Sequence, residues 1–256
     1  MKQWNGLLKK EWVSMKGWLY GTVGASILFV LIIPFVVSMF VKGVFDVLLF
    51  ALIPSWILFS LILPVIVLLN SLKKETGRLD IWLHSPVSIF KLFGVKAIFA
   101  GFVGAVNLFF ATFVGSIQLS NSNLDIDFAF SGAGVVFIFV LFLVSLMAMC
   151  IGLFARVLYL VIEPSVKVFA IPILVGFFFV VSWIFQRIEG TMIYEKITTF
   201  GPIRSVSKNG FSIEKEQFFF EANETIFHTG DLLVNVLFTI LLFVTSAVLF
   251  EKKVRF

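Results

Sequence analysis

Few residues in this chain have the type and spacing that catalysis requires. There is one cysteine, Cys150, inside an apolar run, and the two histidines, His84 and His228, are far apart. No Cys/His cluster has metal-ligand spacing, and no phosphate-binding loop, HExxH motif, GxSxG motif or pair of carboxylates stands in or beside the apolar runs. We therefore expect no catalytic site, cofactor or metal on this chain, and no enzymatic activity.

The residues best placed to bind a partner lie in the polar segment 73–94, KKETGRLDIWLHSPVSIFKLFG, which interrupts two long apolar runs. Leu79, Trp82 and Leu83 recur at the i, i+3 and i+4 spacing of one helix face, whereas the neighbouring charges point elsewhere. The pattern predicts a short amphipathic helix with a one-sided apolar patch.

Ser85 and Pro86 predict where that short helix ends and the next one begins. A residue before proline avoids the α region, so the first helix should end near His84. Serine followed by proline is typical of the N-cap and first position of a helix. The second helix should then continue into the next apolar run.

Composition sets the surroundings in which these elements must fold. The chain has 256 residues, of which 60% are hydrophobic and 14% charged, with a mean hydropathy of +1.07. A soluble domain is typically about half apolar and about a quarter charged, so this chain has too little polar surface for water. We expect an all-α integral membrane protein that forms a single transmembrane domain over residues 1–256.

Six apolar runs are long enough to cross a ~30 Å hydrocarbon layer. The predicted spans are 17–41, 47–72, 97–119, 132–155, 168–186 and 232–250. Asn107, in the third span, is expected to form an interhelical hydrogen bond rather than to bind a substrate.

Lys and Arg predict the orientation of the spans, because they are in excess in cytoplasmic segments. Fourteen of the 20 precede the first span, follow the last, or fall in 73–96 and 156–167, whereas the segment SNSNLDID carries none. Both termini and the 73–96 loop are therefore predicted to be cytoplasmic, and residues 187–231 to form an outer segment. The net charge of +5 follows from this loop asymmetry, and no nucleic-acid partner is expected.

The N-terminal residues have a pattern of their own. Their large apolar side chains share one helix face, and the lysines lie elsewhere on the wheel. The residues of this face are Trp4, Leu7, Leu8, Trp12 and Met15. We expect residues 1–16 to form an amphipathic helix in the inner headgroup plane.

The chain resembles the permease subunits of ABC-2 type ATP-driven transporters. In that family an acidic residue, a glycine, an amphipathic stretch and a small-Pro-Val-Ser segment lie between spans two and three. This chain has Glu75, Gly77, LDIWLHS and PVS at 86–88. The amphipathic N-terminal helix, the six spans, the inner termini and the long outer segment also match.

The resemblance implies a permease that is driven by separate ATPase subunits, which hold the ATP and Mg²⁺. It implies a homodimer, or a heterodimer with a related permease, in the plasma membrane, and short helices in the outer segment that dip into the bilayer. The exported substrate would be amphipathic or hydrophobic, such as a peptide, an antimicrobial or a lipid-linked compound. The residues expected to contact the ATPase, by their place in the family's coupling helix, are Glu75, Gly77, Arg78, Leu79, Asp80, Trp82, Leu83, His84, Ser85 and Pro86.

Two other functions stay open from the residues alone. One is a carrier or channel that works without an ATPase, and the other is a permease-like sensor. A membrane enzyme is the last alternative, because the chain shows no catalytic cluster.

Overall fold

The computed structural model describes residues 2–41, 44–76, 88–121, 132–204, 211–215, 218–222 and 226–253. Long helices dominate them. They are α1 (Lys2–Ile27), α2 (Ile33–Phe40), α3 (Val44–Thr76), α4 (Ile89–Asn121), α5 (Gly132–Val166), α6 (Ala170–Glu189), α7 (Met192–Thr198) and α8 (Thr229–Lys253). By length and composition, five segments can cross a membrane: Trp4–Phe40, Ala51–Glu75, Ile89–Ile117, Val135–Glu189 and Thr229–Lys253. The chain is thus a helical, multi-pass membrane protein in character.

The first of these segments is one continuous helical rod. A π-helical turn, Leu28–Ile32, joins α1 to α2, and the Ile33 N–H donates to the Leu28 carbonyl five residues earlier. Pro34 follows directly. Because proline has no N–H and its ring crowds the preceding turn, the wider π turn accommodates it without ending the helix. The predicted surface helix, residues 1–16, is therefore the first part of α1, which continues without interruption into the predicted first span.

The fourth segment bends in its middle. Its 55 residues would be about 80 Å long as one α-helix, but a 3₁₀ turn, Lys167–Phe169, separates α5 from α6. Lys167 adopts a positive φ of 44°, which is unusual for a residue with a side chain. The ring of Phe154 on α5 contacts Phe177 and Phe178 on α6, so the two helices fold back on each other.

The packing centres on α3 and α4. Helix α4 lies between α1 and α3, α3 also packs on α5, and α5 packs on α8. Two glycines permit close approach of these helices: a Cβ at Gly104 of α4 would overlap the Pro64 ring of α3, and one at Gly152 of α5 would lie 2.7 Å from Val65. Ser145 on α5 donates to the Leu61 carbonyl, one turn before Pro64. Small residues at these contacts let helix backbones approach closely, as is typical of membrane bundles.

The segment between α6 and α8 is not only helical. After α7, strands β1 (Pro202–Arg204) and β4 (Ile226–His228) pair antiparallel, as do β2 (Phe211–Lys215) and β3 (Phe218–Ala222). Gly201, with φ of +68°, lies against Thr229 at the start of α8. Every membrane-crossing candidate is helical, as expected, and the short strands lie outside these helices. Among the described residues of this segment, α7 is the one short helix, and its insertion into the bilayer stays a prediction.

Helix α7 carries one perturbed titratable group outside the apolar segments. Partial burial raises the pKa of Tyr194 above its ordinary value, and the negative charges of Asp231 and Glu189 add to the rise. The phenol therefore stays protonated at physiological pH, so this tyrosine is a neutral hydrogen-bonding group.

Candidate functional site

Of the residues predicted to contact an ATPase, the structure describes the side chain of Glu75 only. Gly77, Arg78, Leu79, Asp80, Trp82, Leu83, His84, Ser85 and Pro86 lie outside the described residues. The segment is nevertheless bounded on both sides: α3 is described to Thr76, and α4 from Ile89. The Ser88 carbonyl accepts the N–H groups of Lys91 and Leu92 and so opens α4.

The carboxylate of Glu75 lies against two ammonium groups of other helices. Its Oε1 accepts a hydrogen bond from Lys10 Nζ at 2.7 Å, and its Oε2 lies 3.1 Å from Lys96 Nζ. The Oε2 contact is an ion pair without hydrogen-bond geometry, since this buried oxygen has no hydrogen-bond partner among the described residues. Glu75 therefore connects the end of α3 to both α1 and α4.

Lys96 lies at the centre of this arrangement. Only 1% of its side chain is exposed, although it stands in the apolar sequence GVKAIF. Its Nζ donates to Glu11 Oε1 at 2.7 Å and to Ser71 Oγ at 2.6 Å. Ser71 Oγ donates in turn to Glu11 Oε2 at 2.9 Å. One ammonium group on α4 is thus held by a carboxylate on α1 and by two side chains on α3.

We call Lys10, Glu11, Ser71, Glu75 and Lys96 the ionic cluster. Its two acidic and two basic side chains balance in formal charge. Burying an unpaired charge is very costly, whereas a buried pair with further hydrogen bonds is tolerated. Glu11 and Lys96 satisfy this condition, with side chains 7% and 1% exposed, while Lys10 reaches solvent at 60%. The cluster can therefore hold three helices in one relative position.

The residues predicted for the membrane-surface helix pack mainly against α4. The ring of Trp4 covers Gly94, and Trp12 meets Phe99 edge-on at 6.2 Å between centroids. Met15 is buried, and Lys74 Nζ lies 3.6 Å from its sulfur. Leu7 is half-buried, and Leu8 and Trp12 line an open apolar groove together with Ile98, Phe99 and Phe102 of α4. Placement of this helix in a headgroup plane stays a prediction.

Asn107 forms the interhelical hydrogen bond that was expected. It is fully buried, and its Nδ2 donates to Thr22 Oγ1 on α1 at 3.0 Å and to the Val103 carbonyl at 2.9 Å. The Thr22 hydroxyl donates to the Trp18 carbonyl at 2.8 Å. This second polar contact between α1 and α4 lies three helical turns from Lys96.

Sequence reasoning missed Glu11 and Ser71 and took Lys96 for a cytoplasmic loop charge. Two signals were present in the sequence. Lys96 has apolar neighbours on both sides, and Glu11 shares a helix face with Leu7, Leu8 and Met15. A charge within an apolar helix is rare and normally paired. The partner across 85 residues, however, depends on how the helices rotate, which periodicity does not reveal.

Other chemistry is sparse in the described part of the chain. Within those ranges no group of three or more His, Cys, Asp and Glu residues is placed to hold a metal ion. Comparison with models of known protein families, with curated proteins and with solved structures found no match. The functional argument therefore rests on the ionic cluster and on the segment between α3 and α4.

Proposed function

We propose that this chain is the permease subunit of an ABC-2 type ATP-driven transporter. In this proposal, residues 73–96 contact a separate ATPase subunit and transmit its conformational change to the membrane helices. The observation that carries the proposal is the contact between Glu75 and Lys96. These residues lie close before and after the segment 77–87. An element that moves this segment would act on α3 and α4 together, because the two helix ends are tied to each other and to α1.

The membrane topology is part of the proposal. Six crossings follow if α5 and α6 each cross once, and the bend at Lys167 with the return contact of Phe154 on Phe177 supports this count. The excess of Lys and Arg in 73–96 and at both termini supports cytoplasmic termini. The strand pairs before α8 then lie on the outer side.

Partners and substrate follow from the resemblance. The chain acts as a homodimer or with a related permease in the plasma membrane, and ATP and Mg²⁺ bind the ATPase. The substrate is amphipathic or hydrophobic, and the direction of transport is export. The exposed apolar side chains along α6, such as Phe179 and Trp183, suit contact with lipid or a second membrane subunit.

The test is purification of the tagged chain from its native membrane in a mild detergent. We expect an ATPase subunit in stoichiometric amount. Replacing Leu79, Trp82 and Leu83 together by Asp removes the apolar patch and should abolish this association and ATP-driven transport. The control, Lys252→Asp with Lys253→Asp, adds negative charge at exposed residues of α8 outside the coupling set, and should retain the ATPase. Unchanged association and transport in the triple variant contradict a coupling role.

A carrier that works without an ATPase is the second candidate. The buried Glu11–Lys96 pair favours it, because ionisable side chains inside a helix bundle often mark ion or proton pathways. The purified chain, reconstituted alone, would then move solute in response to an ion gradient without ATP. Solute binding that alters the activity of a regulatory partner, without any transport, would instead indicate a permease-like sensor.

A further inference from the structure

We propose that the ionic cluster is an interhelical latch, with Lys96 as its central residue, that holds α1 in position against α3 and α4. This role concerns movement within the chain and does not rest on the proposed ATPase partner. It also assigns the Glu75 carboxylate to contacts inside the bundle. Glu75 is then a positioning residue for the helix ends beside 77–87.

The first argument is the nature of the contacts. Apolar side chains of a membrane helix gain little by leaving lipid for another helix, since both surroundings are equally apolar. The polar contacts of Lys96 are different, because its ammonium group finds no comparable partners in lipid tails. Glu11 on α1 and Ser71 on α3 each hydrogen-bond to it. The three helices therefore lose a specific arrangement when they separate here.

The second argument is the charge balance. The cluster holds two acidic and two basic side chains, of which Lys96 and Glu11 are almost fully buried. Removing Lys96 or Glu11 alone leaves an excess charge in the bundle. Removing one acid and one base together leaves Lys10 with Glu75 and restores the balance. A latch therefore predicts that the effects of substituting Lys96 and Glu11 on stability are strongly non-additive.

The third argument is the asymmetry of exposure. Lys10 is 60% exposed, and Glu75, at 15%, is the more accessible acid of the two. The Lys10–Glu75 edge faces solvent, whereas the Lys96–Glu11 pair lies behind it. The cluster can therefore open from its solvent edge at Glu75, directly beside the segment 77–87, while the inner pair stays in place.

Thermal unfolding of the purified full chain in detergent tests the coupling. We expect Lys96→Met and Glu11→Gln each to lower Tm by about 10 °C, because each leaves an excess charge in the cluster. Lys96→Met leaves the buried Glu11 without its cation, and Glu11→Gln leaves Lys96 to share Glu75 with Lys10. The double variant should recover most of this loss. Lys16→Met, which neutralises an exposed lysine on α1, is the matched control and should shift Tm little. Additive losses in the double variant would overturn the proposal.

Spin-label distances test the latch itself. In a Cys150→Ala background, labels at Lys9→Cys and Ile98→Cys report on α1 and α4 across the apolar groove. Labels at Val144→Cys and Leu241→Cys, two exposed positions on α5 and α8, are the control pair. We expect Lys96→Met to broaden the first distance distribution and leave the second unchanged. The double variant with Glu11→Gln, which lacks the contacts of Lys96 to Glu11 and Ser71, should stay broadened although its charges balance, and wild-type distances in it would overturn the proposal.

Two further results would overturn the latch. One is an unchanged Lys9–Ile98 distribution in Lys96→Met, and the other is broadening of both pairs alike, which indicates general loosening. If Lys96→Met does not fold, Glu11→Gln and the double variant carry the same test. A double variant that also fails to fold, or Glu11→Gln with wild-type distances, counts against the proposal.

Discussion

Helices α1, α3 and α4 with their helical continuations are held together differently at their two ends. At the ionic end, Lys96 and Glu11 bury a charge pair with Ser71. At the other end, which we call the apolar end, a small cluster of buried apolar residues does the packing. Its members are Val30, Leu49, Ile53, Trp56 and Ala111.

The difference concerns specificity. In lipid, an apolar contact between helices competes with an equally apolar solvent, so shape alone favours one arrangement. A buried ion pair competes with the large cost of leaving either charge alone. We therefore expect substitutions at the ionic end to disturb helix positions, and those at the apolar end to cost packing energy only. The predictions below run from the largest expected loss of stability to the smallest, each smaller than that of Lys96→Met.

Gly104→Leu tests the close contact between the two ends. The Pro64 ring fills the position of a Cβ at Gly104, so the side chain would force α3 away from α4. We expect a loss of about 2–3 kcal/mol, read from thermal unfolding in detergent. Gly24→Leu on α1, where no atom lies within 4 Å of a Cβ, is the control and should be nearly neutral. Equal losses in both would mean that the contact with Pro64 does not determine the effect.

Trp56→Leu tests the apolar end. The indole contacts Phe29 at 5.4 Å and Phe59 at 5.0 Å between ring centroids, and aromatic pairs add about 0.5–1.5 kcal/mol each. We expect a Tm loss equivalent to about 1.5 kcal/mol, with no broadening of the Lys9–Ile98 spin-label distance. Phe179→Leu, at an exposed aromatic residue of α6, is the control. A broadened distance would remove the distinction between the two ends.

Asn107→Leu removes a neutral polar contact from the same helix pair. Its hydrogen bond to Thr22 should contribute about 0.6 kcal/mol, the average for such bonds in membranes. Thr22→Val removes the same bond from the other side, so the double variant should lose less than the sum. Additive losses would show that the Asn107–Thr22 bond does not contribute to stability, whereas lost transport at unchanged stability would show that Asn107 acts on a substrate instead.

Lys10→Met should have the smallest effect. Its ammonium group is 60% exposed, and surface ion pairs contribute about 0–1 kcal/mol. We expect a loss smaller than that of Asn107→Leu, which shrinks further at high salt because exposed charges are screened. Urea or thermal unfolding at low and high salt measures it. If Lys10→Met lost as much stability as Lys96→Met, the exposed Lys10–Glu75 pair would be the main stabilising contact of the cluster.

The positions of the long helices were predictable because a long apolar run indicates a membrane helix without information from the rest of the chain. Helix ends were less predictable. Helix α5 continues to Val166, past the span end expected at 155. Helix α4 is described from Ile89, ahead of the span start expected at 97 but close to the helix start that Ser85 and Pro86 predicted. Both extensions carry lysine, arginine or glutamate, and a hydropathy pattern ends where charge begins. Helical hydrogen bonding continues through such residues when their side chains find partners or reach solvent.

By itself, the sequence determined that this chain is a helical membrane protein, since too few of its residues are polar to cover a soluble globule. It also determined that a polar segment separates the second and third apolar runs. Only the tertiary structure decided that Lys96 meets Glu11, Ser71 and Glu75. These contacts of Lys96 depend on the rotation and depth of three helices that are distant in sequence. The contact between Pro64 and Gly104 and the surrounding packing together determine that rotation and depth.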